Sequence, residues 1–194
     1  ARKQFFQMGI SEQDMVSFAG GLALAGRLPV VSTYAAFYKR CLEQMHVNAS
    51  EKSRLLYAGQ YAGICYFTDG RTHQSLDDLV LMAALPHHDV LDPVTPWQTE
   101  AMLRWAIEEA TRSVYFRLRR TPLVIPLQSS DALQAGAPLS PLGLRVPARR
   151  LLVTTGTVAT RLALETMAEP DLGDLGLLVL SAFGPERDWH SIEP

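Results

Sequence analysis

A carboxylate lies where a predicted strand gives way to a predicted helix near the start of this 194-residue sequence. The segment reads GISEQ at residues 9–13, and its carboxylate belongs to Glu12. A helix N-terminus stabilises negative charge, so Glu12 alone is more typical of a residue that begins a helix. On physical grounds alone, this simpler interpretation is favoured.

Two aromatic residues follow the next predicted strand and open the next predicted helix. The segment reads STYAAF at residues 32–37, which places Tyr34 and Phe37 three positions apart. Such a pair could form a stacking surface for a flat heterocycle. Taken alone, it is more typical of core packing, because large aromatic side chains contribute much of a protein's buried area.

An aspartate and a histidine lie four positions apart across a glycine-bearing loop. The loop reads DGRTHQ at residues 69–74 and contains Asp69 and His73. Ligands of open parallel sheets bind beyond the carboxyl ends of the strands, where this loop is expected. A histidine there could transfer protons or hold a hydroxyl group. Each residue alone is equally typical of a turn or a helix cap.

Alternating strand and helix patterns connect these three segments. Such alternation predicts an α/β fold, a parallel sheet flanked by helices. The following segment, 121–147, contains five prolines and no sustained period, which indicates a linker between domains. Predicted strands lie at 5–8, 29–32, 54–58, 89–91, 114–118, 150–154 and 176–180, and predicted helices at 12–25, 35–45, 76–85, 96–110 and 158–167.

Composition narrows the class of protein. A net charge of -2 and a pI of about 6.2 give no basic surface for nucleic acid. The longest apolar runs are too short to span a bilayer. Cys41 and Cys65 have neither metal-ligand spacing nor a disulfide framework, so a reducing cytoplasmic location is expected. The adjacent pair His87 and His88 could suggest a metal site, but neighbouring side chains of an extended segment point to opposite faces and do not favour one shared ion. A surface turn is predicted for this pair instead.

In combination and in this order, the three segments resemble the transketolase pyrimidine-binding domain. The loop at 69–74 is similar to the Asp-Gly-x-Thr-His-Gln loop shared by transketolase and deoxyxylulose phosphate synthase. The resemblance implies a pyrimidine-binding domain at 1–120, a Pro-rich linker at 121–147 and a partial C-terminal domain at 148–194. The second unit is too small for a full domain, so we expect it to be truncated or completed by other residues.

The resemblance implies roles for five residues in a thiamine diphosphate enzyme. Glu12 would contact N1′ of the cofactor's aminopyrimidine and donate a proton to it. Tyr34 and Phe37 would pack on that ring. Asp69 and His73 would contact sugar hydroxyls or the nascent carbanion, and His73 would serve as a general acid or base.

An arginine at the end of the last strand resembles the family's phosphate contact. Arg120 matches that position, and Arg117 is an alternative; a guanidinium suits the task because it offers paired donors. The sequence departs from the family nearby. Tyr61 stands where transketolases have a substrate-binding histidine, and Ala62 where deoxyxylulose phosphate synthases have an arginine. Part of the family's usual phosphate contact is therefore missing, which supports the alternative of an acceptor other than a plain sugar phosphate.

The family's diphosphate motif, Gly-Asp-Gly followed by Asn, does not occur in this sequence; the stretch 173–176 is a poor match. The resemblance therefore implies that a partner subunit or domain holds the diphosphate and Mg²⁺, in a hetero-oligomer such as a heterotetramer. The expected activity is transfer of a two-carbon ketol unit from a ketose donor to an acceptor. The alternatives are transfer to a non-sugar or carrier-bound acceptor, and a non-catalytic subunit that assembles a partner.

Overall fold

The computed structural model describes residues 4–64, 68–120, 123–134 and 137–184, which form two β-sheets with helices packed against them. The strands of the first sheet are rich in Val, Leu and Tyr. All four residues of the third strand and all five of the fourth are buried, as expected for parallel strands covered on both faces. The first four strands in chain order are β1 (Val30–Tyr34), β2 (Leu56–Gln60), β3 (His88–Leu91) and β4 (Ser113–Arg117).

The first sheet has the strand order β1-β2-β4-β3-β8, in which β1 to β4 are parallel. The eighth strand, β8 (Ala182–Phe183), pairs antiparallel with β3. It returns from the far end of the chain to the first sheet. In contrast, the strand predicted at 5–8 is wrong, because residues 5–9 have no regular structure, and Phe5 and Phe6 are exposed rather than buried in a sheet.

Helices connect the strands of the first sheet and cover it. The helix predicted at 35–45 begins as a 3-10 helix, Ala35–Cys41, and continues as an α-helix. The helix before β4 starts with Thr95, whose Oγ1 accepts a hydrogen bond from Gln98 N at 3.2 Å, and with Pro96 in its first turn. The α-helices are α1 (Glu12–Leu24), α2 (Leu42–Ser50), α3 (Asp78–Ala83) and α4 (Pro96–Glu108).

A second, three-stranded sheet follows, with the order β5-β7-β6. Its strands are β5 (Leu142–Leu144), β6 (Arg150–Thr154) and β7 (Leu175–Val179), and α5 (Thr157–Met167) connects the parallel pair β6 and β7. β5 pairs antiparallel with β7 and lies inside the segment predicted to be a linker. Its three residues are too few to produce a period in sequence.

Each sheet has its own apolar core. Three fully buried tyrosines, Tyr38, Tyr57 and Tyr115, lie edge to face between the first sheet and its helices. A second cluster around Leu127, Leu142 and Leu177 fills the space beside the second sheet. Among the described parts of the chain, none of the helices combines the length and apolar character needed to cross a membrane.

Candidate functional site

The carboxyl ends of β1 and β2 bring together an aromatic cluster, Tyr34, Phe37, Tyr61 and His73. Parallel pairing sets Tyr34 opposite Gln60, so the residue after β2, Tyr61, lies beside Tyr34 with ring centroids 4.5 Å apart. The Tyr34 and Phe37 rings are stacked, with centroids 5.4 Å apart and planes 5° apart. The His73 ring meets both edge-on, at 5.9 Å and 5.2 Å.

Glu12 lies next to this cluster as the first residue of α1, with only 9% of its side chain exposed. Its Oε2 lies 3.4 Å from Nη1 of Arg40. The guanidinium carbon of Arg40 lies 4.7 Å from the centroid of the Phe37 ring. Glu12 and the aromatic cluster are therefore joined through one arginine, which the sequence analysis did not select.

The loop that carries Asp69 and His73 is held in place at both ends. Gly63 and Ser75 exchange two backbone hydrogen bonds, at 2.8 Å and 3.1 Å. Gly70 has a φ of +72°, a left-handed conformation that favours glycine, and a 3-10 helix, Arg71–His73, follows it. Asp69 is exposed.

The orientation of the His73 ring is set within this loop. The Thr72 hydroxyl lies 2.9 Å from Nδ1 of His73. Cys65, which is near this loop in the sequence, lies outside the described residues.

Arg120 borders the aromatic cluster at the carboxyl end of β4. Its Nη1 donates to the Tyr61 hydroxyl at 3.3 Å. Tyr61 itself has a φ of +57°, an uncommon value for a residue with a large side chain. The next residue, Ala62, is buried, and its N–H donates to the Leu118 carbonyl at 3.0 Å. This hydrogen bond holds the backbone next to Tyr61 against the backbone near Arg120.

Arg117 points elsewhere, into the interior, and is 6% exposed. Its Nε and Nη2 donate to the two carboxylate oxygens of Asp78, both at 2.9 Å, and its Nη1 donates to Asp92 at 2.8 Å. Two buried carboxylates therefore use the Arg117 guanidinium, whereas Arg120 is exposed. The two arginines look alike in sequence, and only burial distinguishes them.

Asp92, at the carboxyl end of β3, completes a buried ion-pair cluster of Asp78, Asp92, Arg117 and Arg119 that sequence reasoning missed. Arg119 and the Thr155 hydroxyl also donate to Asp92, the latter at 2.8 Å. Burial alone would raise the pKa of the Asp92 carboxyl, but the Arg119 and Arg117 guanidiniums outweigh burial, and the pKa is lowered. The available signal was an aspartate directly after a buried strand.

The two adjacent histidines do not share a surface turn. His88 is the first residue of β3 and is 1% exposed, so the surface-turn prediction is wrong for it. Burial lowers the pKa of His88 to about 3, from an ordinary value of 6.5. Within the described ranges, no three His, Cys, Asp or Glu side chains gather in a way that could hold a metal ion.

Comparison with known proteins identifies relatives of this arrangement. Residues 1–124 match the family described as "Transketolase, pyrimidine binding domain". The 1-deoxy-D-xylulose-5-phosphate synthase of Treponema pallidum (strain Nichols) is 37% identical over 110 residues, which is 56% of this chain and 17% of that protein. The corresponding synthase of Lachnoclostridium phytofermentans is 39% identical over 106 residues, 54% of this chain and 17% of that protein. The chain thus spans about a sixth of the length of these relatives.

Two solved structures share the fold. A split gene transketolase, in an inactive beta4 tetramer, superimposes with a TM-score of 0.72 at 27% identity, covering 93% of this chain and 58% of that one. The transketolase of Campylobacter jejuni has a TM-score of 0.78 at 20% identity, covering 95% of this chain and 30% of that one. Since the family match extends over residues 1–124 of 194, the chain belongs to the transketolase pyrimidine-binding-domain family, a family of thiamine diphosphate-dependent enzymes.

Proposed function

We propose that this chain supplies the pyrimidine side of a thiamine diphosphate site in a transketolase-like enzyme. The reaction would transfer a two-carbon ketol unit from a ketose donor to an acceptor. The observation that supports this best is that one residue, Arg40, contacts both a nearly buried carboxylate, Glu12, and the ring of Phe37, which is stacked on Tyr34 at the carboxyl end of β1. Clefts at this end of a parallel sheet are the usual ligand sites of such folds.

These residues fit an aminopyrimidine. Tyr34 and Phe37 are half-buried, so they retain accessible surface on which a flat heterocycle can stack. Glu12 would donate a hydrogen bond to N1′, which requires a protonated, neutral carboxyl group. Exclusion of water from an assembled site favours the neutral form of a carboxyl group. When bound, the cofactor supplies the carbon nucleophile and the electron sink.

His73 and Asp69 would serve the substrate. The hydrogen bond between Thr72 and Nδ1 of His73 leaves Nε2 as the nitrogen that could exchange a proton with a substrate hydroxyl. The edge-on contacts with Tyr34 and Phe37 keep the imidazole beside the ring-binding surface. Asp69, exposed on the same loop, would accept hydrogen bonds from sugar hydroxyls.

Arg120 would bind an anionic group on the acceptor. It is exposed, and the Tyr61 hydroxyl accepts one of its N–H groups, which reduces the freedom of a long side chain. A guanidinium carries five N–H donors, and two of them can together meet a phosphate or a carboxylate. Arg117 has no part in this proposal, because its guanidinium is already ion-paired with Asp78 and Asp92.

The diphosphate and Mg²⁺ would be held by a partner subunit or domain. This part of the proposal rests on the sequence, which lacks the family's Gly-Asp-Gly motif. A hetero-oligomer such as a heterotetramer, in the cytoplasm, would bring the two halves together. The similarity to a split gene transketolase supports a division of this kind.

A second candidate is transfer to a non-sugar or carrier-bound acceptor. Tyr61 favours it, because a phenol stands where transketolases have a substrate-binding histidine, and it contacts both Tyr34 and Arg120. The Tyr61 ring would change the shape of the acceptor-binding region, while Glu12, Tyr34 and Phe37 would still bind the pyrimidine.

The decisive experiment mixes the chain with a partner that carries Gly-Asp-Gly, then adds thiamine diphosphate and Mg²⁺. Calorimetry should show tight cofactor binding for the mixture and weak or no binding for the chain alone. A survey of ketol donors and of acceptors with and without phosphate then separates the two candidates. A complex that binds the partner but never the cofactor would indicate a non-catalytic assembly subunit.

A further inference from the structure

Arg40 contacts two residues of the candidate site, Glu12 and Phe37. Its guanidinium carbon lies 4.7 Å from the Phe37 ring centroid, and its Nη1 lies 3.4 Å from Glu12 Oε2. The Arg40 side chain is 56% exposed, whereas that of Glu12 is 9% exposed. An exposed surface side chain therefore reaches over the ring to a carboxylate that is nearly buried.

These two contacts duplicate those that the proposed function assigns to an aminopyrimidine. A guanidinium is planar, rich in nitrogen and able to lie on an aromatic face, as is the heterocycle. It also directs an N–H at the carboxylate that would meet N1′. The Phe37 face and Glu12 Oε2 cannot serve both groups at once.

The chemistry of Glu12 leads to the same conflict. A carboxylate paired with a guanidinium is ionised and can only accept hydrogen bonds. The proposed role requires Glu12 to donate a proton toward N1′. Arg40 must therefore leave Glu12 before that carboxyl can act.

We propose that Arg40 is an internal stand-in for the aminopyrimidine, holding Phe37 and Glu12 in the free chain and swinging out when the cofactor binds. This inference rests on the proposed function and adds a control step to it. Tyr38 and Cys41 on the same 3-10 helix are fully buried, so the backbone can stay fixed while the Arg40 side chain moves. The Arg40 guanidinium is itself exposed to solvent, and a cation–π contact of an exposed guanidinium is weak, which makes the exchange reversible.

The first test measures binding of the pyrimidine fragment 4-amino-5-hydroxymethyl-2-methylpyrimidine, which needs no diphosphate partner, by NMR titration. Because Arg40 competes for the site, Arg40→Met should bind the fragment roughly 3- to 10-fold more tightly than the parent chain, and Arg40→Gln should show the same direction. Arg104→Met, which removes another exposed arginine from an ion pair with Glu100, should leave the affinity unchanged. An unchanged or weaker affinity for both Arg40 variants would overturn the stand-in role.

The second test needs no change at Arg40. The Nε–H resonance of Arg40 should be shifted upfield by the Phe37 ring, lose that shift in Phe37→Leu, and return to the position of a solvated arginine when the fragment saturates the site. A shift that persists at saturation would show that Arg40 stays in place, and the inference would fail while the proposed function survived. If neither the parent chain nor the Arg40 variants bind the fragment, Arg40 does not compete for a pyrimidine surface in the free chain, and the stand-in role fails; cofactor binding by the mixture with the partner then decides the proposed function separately.

Discussion

The Thr155 hydroxyl donates a hydrogen bond to Asp92 Oδ2 at 2.8 Å, joining the loop after β6 to the end of β3. Asp92 is fully buried and also accepts from Arg117 and Arg119. The second sheet is therefore attached to the first by a carboxylate that belongs to the buried ion-pair cluster. Among the residues that the structure describes, none of these hydrogen bonds of Asp92 involves Glu12, the aromatic cluster or Arg120, so loss of the Asp92 carboxylate should disturb stability before chemistry.

We expect Asp92→Asn to lower the free energy of unfolding by about 3 kcal/mol, because it leaves two buried guanidiniums with one carboxylate fewer. The measurement is urea denaturation followed by circular dichroism. The control is Asp174→Asn, which removes an exposed partner of Arg150 and should change the urea concentration at the midpoint of unfolding only slightly. Equal effects for the two variants would contradict an energetic role for the cluster.

His88 should make the protein sensitive to acid. Its pKa lies near 3 in the folded chain, below the ordinary 6.5, because burial disfavours the imidazolium. The unfolded chain therefore binds the proton first, so stability is complete above about pH 6.5 and falls as the pH drops toward 3.

The variant His88→Phe tests this dependence. It keeps a flat ring against Tyr57 and removes the titration. The free energy of unfolding of the parent chain should be about 1 kcal/mol lower at pH 5.5 than at pH 7.5. The variant should not show this decrease. Parallel pH profiles of unfolding free energy for the two proteins would refute the assignment.

In the assembled complex, Glu12→Gln should preserve folding and partner binding but slow exchange of the cofactor's C2 hydrogen by at least about 100-fold. An amide fills the same space but cannot supply an acid proton to N1′, and proton-transfer catalysis contributes roughly 10²–10⁴-fold. Deuterium exchange with acid quench and NMR measures the rate, and sedimentation measures assembly. Glu165→Gln, on the surface of α5, is the control. Exchange at the parental rate would leave Glu12 as a residue that only begins a helix.

Arg120→Met should lower kcat/KM for phosphorylated acceptors roughly 30-fold, which corresponds to about 2 kcal/mol, with little effect on kcat/KM for unphosphorylated acceptors. The reason is the loss of a charged donor beside the aromatic cluster. Tyr61→Phe removes the hydroxyl that holds Arg120 and should give a smaller effect of the same kind, mainly in KM. Equal losses for both acceptor types would show that Arg120 does not meet the anionic group.

The fold was largely predictable because its strands and helices have strong local signals. The Pro96 start of α4 and the buried runs of β3 and β4 appear in sequence much as in the structure. The strand predicted at 5–8 failed because an apolar run shows only hydrophobicity, and Phe5 and Phe6 remain on the surface. β8 was missed because two residues have no period.

The candidate site was predictable where residue type and order were specific. Tyr34, Phe37 and His73 lie together as the order of segments indicated, although their roles stay predictions. The contact of Arg40 with Glu12 could not be predicted, since it depends on how α1 packs against the 3-10 helix that follows β1.

The pairing of Val90 with Phe183 makes assembly of the first sheet depend on the order of synthesis. A ribosome releases β1 to β4 well before β8, so β3 remains an open edge while the second sheet is made. Exposed edges offer backbone N–H and carbonyl groups to strands of other molecules. A nascent or shortened chain that stops before residue 182 should therefore be the form most prone to aggregate. Pairing of the two residues of β8 with β3 then covers this exposed edge.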